Sequence, residues 1–331
     1  MMKAFRIHSY DGPQSLVLDD VPEPERTDDV AVVRVMAIGV NFPDLLATKG
    51  QYQVKPEPPY TPGCEVAGVV EWAPEGSGWS PGDRVMAFIW QGAYAEYVGI
   101  PLNHLVAIPD AMGFDTAAGL VVNHHTVHYA LARRGQVAPG ESVLVLGAAG
   151  GIGTAAVQVA KGLRARVIAG VASEADIPVA EQAGADDVIL LDEGYAQQIN
   201  DLTDGNGVDV ILDPLGDWLF NEGIRALAWE GRILVVGFAA GDIATLRTNR
   251  LLLRNVSAVG VAWGATLEKD PGLLSWGAES LHRMYAEGSV NPQIGHRFSF
   301  GDLPLALQKL DAHEIRGKAI IDLTGSAGSA P

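Results

Sequence analysis

The run ESVLVLGAAGGIGTAAVQVAKGLRARVIAGVAS, residues 141–173, constrains the fold of this chain more than any other stretch. Val143, Leu144, Val145 and Leu146 form a continuous apolar segment of the kind buried on both faces of a parallel sheet. Gly147, Gly150 and Gly153 follow at three-residue spacing and open an alanine-rich helical stretch. Lacking Cβ atoms, they let the chain turn tightly and let backbone N–H groups around Ala149, Gly151 and Ile152 approach a pyrophosphate at a helix N-terminus. A glycine triplet alone is a weak signal, but one placed between an apolar strand and a helix predicts a dinucleotide site. The run also has nearly the length of a membrane helix and carries no charge from Ser142 to Ala160. Its central glycines, and the charges of Glu141 and Lys161 at its ends, argue against a spanning segment.

A chain of 331 residues has room for about two domains with cores of their own. With 48% hydrophobic and 19% charged residues it has the balance of a soluble globular protein. The formal net charge of −17, with no basic run, speaks against nucleic acid as a partner. The opening MMKAFRIHSYDG lacks the apolar segment of a secretory signal, so export is not expected. Cys64 is the single cysteine, which excludes an internal disulfide and a multi-cysteine zinc site and fits a reducing cytoplasm.

Up to about residue 115 the chain reads as short strands divided by Pro, Gly and Asp, among them MKAFRIHSY, VAVVRVMAIGV, EVAGVVEWA and DRVMAFIW. Residues 115–135 read as one helix ending near Gly135. Strands then alternate with helices. The strands are expected at 143–148, 167–172, 187–191, 208–213, 232–238 and 257–263, and the helices around 152–163, 174–184, 195–203, 218–229 and 246–254. This alternation predicts an α/β fold with a doubly wound parallel sheet. Helices near 270–287 and 302–314 and a strand over 317–323 close the chain, and the tail TGSAGSAP reads as disordered.

The segments GVNFPDLLATKGQY, PYTPGCEVAGVV, SGWSPGDRVMAF, LGAAGGIG and EGRILVVGF occur in an order that resembles the medium-chain dehydrogenase/reductase superfamily, most closely its zinc-free quinone oxidoreductase (zeta-crystallin-like) branch. The resemblance covers roughly residues 2–324. It implies a GroES-like β-rich catalytic domain over 1–122, completed by 265–324, a Rossmann domain over 123–264 and a disordered tail at 325–331. Zinc-dependent relatives carry GVC..D and GHE motifs and a later cysteine. The matching positions here are Asn41, Cys64 and Val122. Asn and Val are not zinc ligands, so no metal site is expected, and Cys64 reads first as a small packing residue. Without a Lewis acid the acceptor has to delocalise negative charge itself, as quinones and conjugated enones do.

Asn41, Asp44, Gly50 and Tyr52 have an N-x-x-D-x-x-x-x-x-G-x-Y spacing that also resembles zinc-free enoyl-thioester reductases. Tyr52 is a candidate to donate its hydroxyl proton or hydrogen bond to the acceptor, against the reading of a surface tyrosine. The resemblance puts Asn41 near the nicotinamide ribose and the substrate, against the reading of a turn-capping asparagine, and leaves Asp44 as a loop anchor. His124 and His128 share a helix face but lack further ligands, so packed or solvated histidines are expected. Thr126, Gly237, Phe238, Ala262 and Trp263 match the nicotinamide end by resemblance, with an interface or core aromatic as the other reading of Trp263.

No Asp or Glu occurs from Ser142 to Ser173, where an NAD site usually carries an acid about twenty residues after the glycines. Ser173 is placed to contact a 2′-phosphate, although Glu174 and Asp176 follow where the family's lysine would stand. The balance is NADP(H), with NAD(H) open. The final apolar strand SAVGVAWG could form a sheet edge, and the family's edge-to-edge assembly implies a homodimer. The expected activity is an NADPH-dependent quinone or enone oxidoreductase with a small-molecule substrate and neither membrane nor nucleic-acid partner. The alternatives are an enoyl-thioester reductase and a non-catalytic, crystallin-like NADPH-binding protein.

Overall fold

Alternating apolar runs divided by Pro and Gly fold as antiparallel strands. In the computed structural model, which describes residues 1–324, β1 (Met2–Ile7) and β2 (Leu16–Val21) form an antiparallel pair. They are followed by β3 (Val30–Val40), α1 (Phe42–Thr48), β4 (Glu65–Trp72), β5 (Arg84–Phe88), β6 (Tyr97–Pro101), β7 (Leu105–Ala107) and α2 (Phe114–His128). The long strand β3 is the hub, with antiparallel partners β4 and β6. Phe5, Val33, Val35, Ile38, Leu45, Val66 and Ile100 fill the core of this unit. At roughly 1.5–3 kcal/mol for each large side chain removed from water, such a core is the main support of its sheet.

After His128 the helix widens rather than ending. Residues Tyr129–Arg134 form a π-helical turn, closed by the Gly135 N–H donating to the Ala130 carbonyl at 2.7 Å. The second unit then alternates strand and helix: β8 (Ser142–Leu146), α3 (Gly151–Gly162), β9 (Arg166–Val171), α4 (Ile177–Ala183), β10 (Asp187–Leu190), α5 (Tyr195–Leu202), β11 (Val208–Asp213), α6 (Asp217–Ala226), β12 (Leu227–Val235), α7 (Asn249–Arg254) and β13 (Ser257–Gly260). The strands form one six-stranded parallel sheet in the order β10-β9-β8-β11-β12-β13. The order reverses direction beside β8, the switch point at which doubly wound sheets bind ligands. β8 is central, and Val143, Leu144, Val145 and Leu146 are fully buried.

β12 starts five residues before the expected 232, and α6 stops at Ala226 instead of 229. Glu230 adopts a left-handed φ of 63° and the β11–β12 register shifts, so a bulge lets Leu227 pair with Val208 before the regular ladder begins. β13 ends at Gly260, short of the expected 263, because Trp263 begins α8 (Trp263–Leu267). α9 (Leu273–Ala286) follows and buries Leu274, Gly277, Ala278, Leu281 and Met284.

The largest departure concerns where the chain returns to its first unit. The units are Met1–Val122 with the chain from Ile294 onward, and Asn123–Gln293. Residues 265–293 were expected to complete the first domain. They remain with the second because the apolar face of α9 packs there, Met284 lying against Gly162 and Gly277 against the His125 ring. Only β14 (Ile294–Ser299), α10 (Leu303–Asp311) and β15 (Lys318–Asp322) return, extending the first sheet to β14-β15-β3-β4-β5-β7, with β15 antiparallel to β3. The tail expected to be disordered at 325–331 lies outside the described residues.

Candidate active site

The glycine turn after β8 uses each glycine for a different reason. Gly147 has a left-handed φ of 66°, which few other residues adopt without strain. A Cβ at Gly153 would lie 2.1 Å from the Gly147 carbonyl oxygen, so this glycine lets α3 start flush against the turn. Gly150 has an ordinary φ of −83°, and a Cβ there would meet only the Gly147 oxygen at 3.6 Å, so no contact within the fold requires a glycine at this position. Gly150 N–H donates to the Gly147 oxygen and Thr154 N–H to the Gly150 oxygen. The N–H groups of Gly151, Ile152 and Gly153 lie in the first turn, ahead of any intrahelical acceptor, at the positive end of the α3 dipole.

At the end of β9 the Ser173 hydroxyl donates to Asp176 Oδ2 at 2.8 Å. Asp176 is buried, while Ser173 and Glu174 are exposed. The Asp176 carboxylate is therefore held against the Ser173 hydroxyl. At the end of β11, the buried Asp213 accepts the N–H groups of Leu215 and Gly216, and burial pushes its carboxyl pKa up against those hydrogen bonds. Gly237 and Phe238 follow β12, with the Phe238 ring half exposed. Ala262 is exposed, whereas Trp263 is buried with its ring 5.8 Å from that of His125. Thr126 lies half-buried on α2.

The histidines of α2 are buried. His124 shares a hydrogen bond with Gln158 at 3.1 Å, and the His128 ring lies 4.4 Å from Trp276. Burial, aided by the Arg283 charge, lowers the His128 pKa to about 4, so its imidazole is neutral at physiological pH. Among the described residues no group of three or more His, Cys, Asp or Glu is arranged to hold a metal ion.

The first unit gathers a second set of polar groups beneath α1. Asn41 stands at the α1 N-terminus, where its backbone N–H donates to Asp44 Oδ2 at 2.9 Å. Its side chain also reaches into the first sheet. Nδ2 donates to Glu65 Oε2 at 2.9 Å and to the Gly39 oxygen at 3.1 Å, while Oδ1 accepts from Lys318 Nζ at 2.5 Å. Lys318 also bonds Glu65 Oε2 at 2.5 Å, and Glu65 Oε1 accepts the Val122 N–H at 2.6 Å. All three side chains are buried. Gly39 permits this closeness, since a Cβ there would fall 2.2 Å from Glu65 Oε2 and 2.4 Å from the Ala118 oxygen.

Asp44 is buried beside Cys64 and Tyr94. Burial raises its pKa to about 6, against the lowering effects of the Asn41 N–H, the two neighbours and Lys318. Burial also pushes the Cys64 thiol well up, with Asp44 and Glu65 adding to it, so Cys64 is an unreactive thiol rather than a nucleophile. Tyr52 is half-buried. Its pKa is pushed up to about 12 by burial first and then by Cys64 and Asp44, which keeps the phenol protonated and able to donate.

Sequence reasoning singled out Asn41 as a group near cofactor and substrate, and the structure ties its amide to Lys318, Glu65 and Gly39. Lys318 was overlooked, although a lysine inside the apolar run GKAIIDL was the available signal.

Two family models match the chain: the alcohol dehydrogenase GroES-like domain over residues 27–110 and the zinc-binding dehydrogenase over residues 151–279. The quinone oxidoreductase-like protein 2 of Bos taurus is 36% identical over 312 residues, covering 93% of this chain and 89% of that protein. The chain belongs to the medium-chain dehydrogenase/reductase superfamily, in its quinone oxidoreductase-like branch. Among solved structures, a probable oxidoreductase from Mycobacterium abscessus superposes with a TM-score of 0.90 at 45% identity, covering 97% of this chain and 98% of the other. A mycobacterial protein solved in complex with NADPH reaches 0.90 at 30% identity, covering 97% and 100%. The GroES-like and Rossmann architecture of the superfamily is the one found here.

Proposed function

We propose that this protein is a metal-independent NADPH oxidoreductase that reduces a quinone or conjugated enone. The observation that carries this reading is a dinucleotide-type glycine turn in one unit together with, in the other, a Glu65 carboxylate held by the Lys318 ammonium and a protonated Tyr52. NADPH, when bound, supplies the hydride. The first-turn N–H groups of Gly151, Ile152 and Gly153 would hold its pyrophosphate, with Gly147, Ala149 and Gly150 lining the turn. Ser173 would meet the 2′-phosphate by turning its hydroxyl from Asp176, whose carboxylate lies 2.8 Å away. Thr126, Gly237, Phe238 and Ala262 would meet the nicotinamide end, with Trp263 packed behind them.

Zinc, which the name of one matching family model implies, does not fit the residues present. The Glu65 carboxylate is taken by the Lys318 ammonium, and Asn41 offers no anionic donor. The acceptor must therefore bear its own developing charge, as a quinone or enone does. Tyr52 donates its O–H to the acceptor oxygen, and the tie formed by Asn41 fixes the backbone segment that leads to it.

A homodimer formed along β13 agrees with its place at the sheet edge and with the exposed Leu252 and Leu253 beside it. A cytoplasmic setting agrees with Cys64, a buried free thiol. No helix among the described residues is long and apolar enough to cross a membrane.

The test is NADPH oxidation by a simple quinone, an enone and crotonyl-CoA, before and after chelation. Turnover with the quinone or enone that survives chelation is the expected result. Preference for crotonyl-CoA would favour the thioester reductase. NADPH binding without any turnover would make the protein a non-catalytic binder.

A further inference from the structure

The segment that carries Tyr52 has little to hold it through its own backbone. It links α1 to β4, and among the described residues none from 52 to 59 takes part in a backbone-to-backbone hydrogen bond. A stretch of this kind opens readily unless side chains restrain it. Here the restraint comes from the turn between β1 and β2. Tyr10, half-buried in that turn, donates its O–H to the Pro56 carbonyl, and the Lys55 ammonium stands over its ring, 4.7 Å from the centroid. At the near end of the segment, Gly50 lies so close to the same ring that a Cβ there would fall 2.9 Å from Tyr10 Cγ. Gly50 also has a left-handed φ of 61°, so both the turn and the approach to Tyr10 call for glycine. The Tyr60 ring packs against Tyr10 with centroids 6.4 Å apart, and Ile7 and Tyr60 exchange backbone hydrogen bonds of 2.8 and 3.2 Å that close the far end.

Residues 50–56 therefore form an arch with both feet on one aromatic ring, and Tyr52 is carried between them. We propose that Tyr10 is a positioning residue for Tyr52: it takes both feet of the arch and so sets where the phenol stands. The inference rests on the reading of Tyr52 as the group that donates to the acceptor. A tyrosine suits the task because its ring face attracts the Lys55 ammonium while its O–H holds a carbonyl, and an aliphatic side chain supplies neither. Loosening the arch lets the phenol wander from the acceptor oxygen, and a misplaced donor costs rate. It leaves the glycine turn after β8 untouched, so coenzyme binding is not expected to follow.

The experiment compares the full-length wild type, Tyr10→Phe and Tyr10→Leu in two ways: chymotrypsin digestion, with the cut after Tyr52 followed by mass spectrometry, and steady-state reduction of a simple quinone by NADPH. Tyr10→Leu is expected to be cut after Tyr52 at least about tenfold faster than wild type, with cuts elsewhere unchanged. It should lose about tenfold in kcat while its KM for NADPH stays within about twofold. Tyr10→Phe, which keeps the ring and gives up the bond to Pro56, is expected to lie between the two in both measurements. In a Tyr52→Phe background, Tyr10→Leu should cost less than about twofold in kcat, because its effect passes through the phenol. Cleavage of Tyr10→Leu after Tyr52 at the wild-type rate would overturn the proposal, and so would a tenfold loss that persists in the Tyr52→Phe background. Should Tyr10→Leu fail to fold, Tyr10→Phe decides, and a wild-type cleavage rate in that variant would defeat the proposal. The digestion needs neither substrate nor coenzyme, so it judges the arch separately from the reaction. A Tyr52→Phe protein with unchanged kcat would count against the assignment of Tyr52 and, with it, against a positioning role for Tyr10.

Discussion

Gly153 offers the sharpest test of how the dinucleotide turn works. In Gly153→Ala the new methyl would stand 2.1 Å from the Gly147 oxygen and 2.6 Å from the Ala148 Cα, where ordinary contacts begin at 3.4 Å. Both obstacles are backbone, so α3 and the turn have to part by more than about 1 Å. That displacement carries away the N–H groups of Gly151, Ile152 and Gly153. Hydrogen bonds to a charged group contribute roughly 1.5–3 kcal/mol each, so misplacing two of them costs about 3 kcal/mol or more. Affinity should fall by at least about 100-fold, at 1.4 kcal/mol per factor of ten. Titration of NADPH fluorescence, with a thermal melt of the same sample, measures both binding and fold. Gly150→Ala is the control for the fold, since its methyl meets only one atom at 3.6 Å and its melt should match the wild type. A Gly153→Ala protein that binds NADPH within about threefold of wild type, with an unshifted melt, would refute this account of the turn.

On the proposed reading Tyr52→Phe should lower kcat by about 100-fold while leaving NADPH affinity unchanged, since it removes the phenol, protonated up to about pH 12, that would donate to the acceptor; an unchanged kcat would remove Tyr52 from the reaction. Gly39→Ala should destabilise the protein by more than about 2 kcal/mol in urea, since both Glu65 and the Ala118 carbonyl crowd the new methyl; a wild-type midpoint would contradict this. Two buried groups should tilt stability against pH in opposite directions. Asp44, raised from 3.8 to about 6, holds its proton more tightly folded than unfolded, so its contribution falls as pH rises through that window. His128, lowered from 6.5 to about 4, is protonated first in the unfolded chain, so its contribution is lost as pH falls from 6.5 towards 4. Asp44→Asn should remove the first slope and His128→Gln the second, and melts whose slopes match wild type in both variants would disprove the assignments.

The parallel sheet was legible because a fully buried strand such as Val143–Leu146 has to be apolar at every position. The glycine turn was legible because its spacing has a steric cause that shows in sequence. Boundaries were less so. The early start of β12 depends on a bulge at Glu230, which no periodicity announces. The return to the first unit was misplaced because an amphipathic helix such as α9 declares that it has an apolar face, but not which sheet will cover it. In the polar cluster, Asn41 and Tyr52 could be found from a local spacing. Lys318, the partner of Asn41, lies 277 residues from it, and only the pairing of β15 with β3 brings the two together. Long-range ion pairs of this kind leave only an oddity in the sequence, here a charged residue in an apolar strand.

The first sheet is stitched shut by a strand translated long after the rest of it. Until β15 emerges from the ribosome, Glu65 carries a negative charge pointed at a space with no counterion, and the antiparallel edge of β3 that will receive β15 stays open. The first unit therefore receives its last strands only after the whole of the second has been translated.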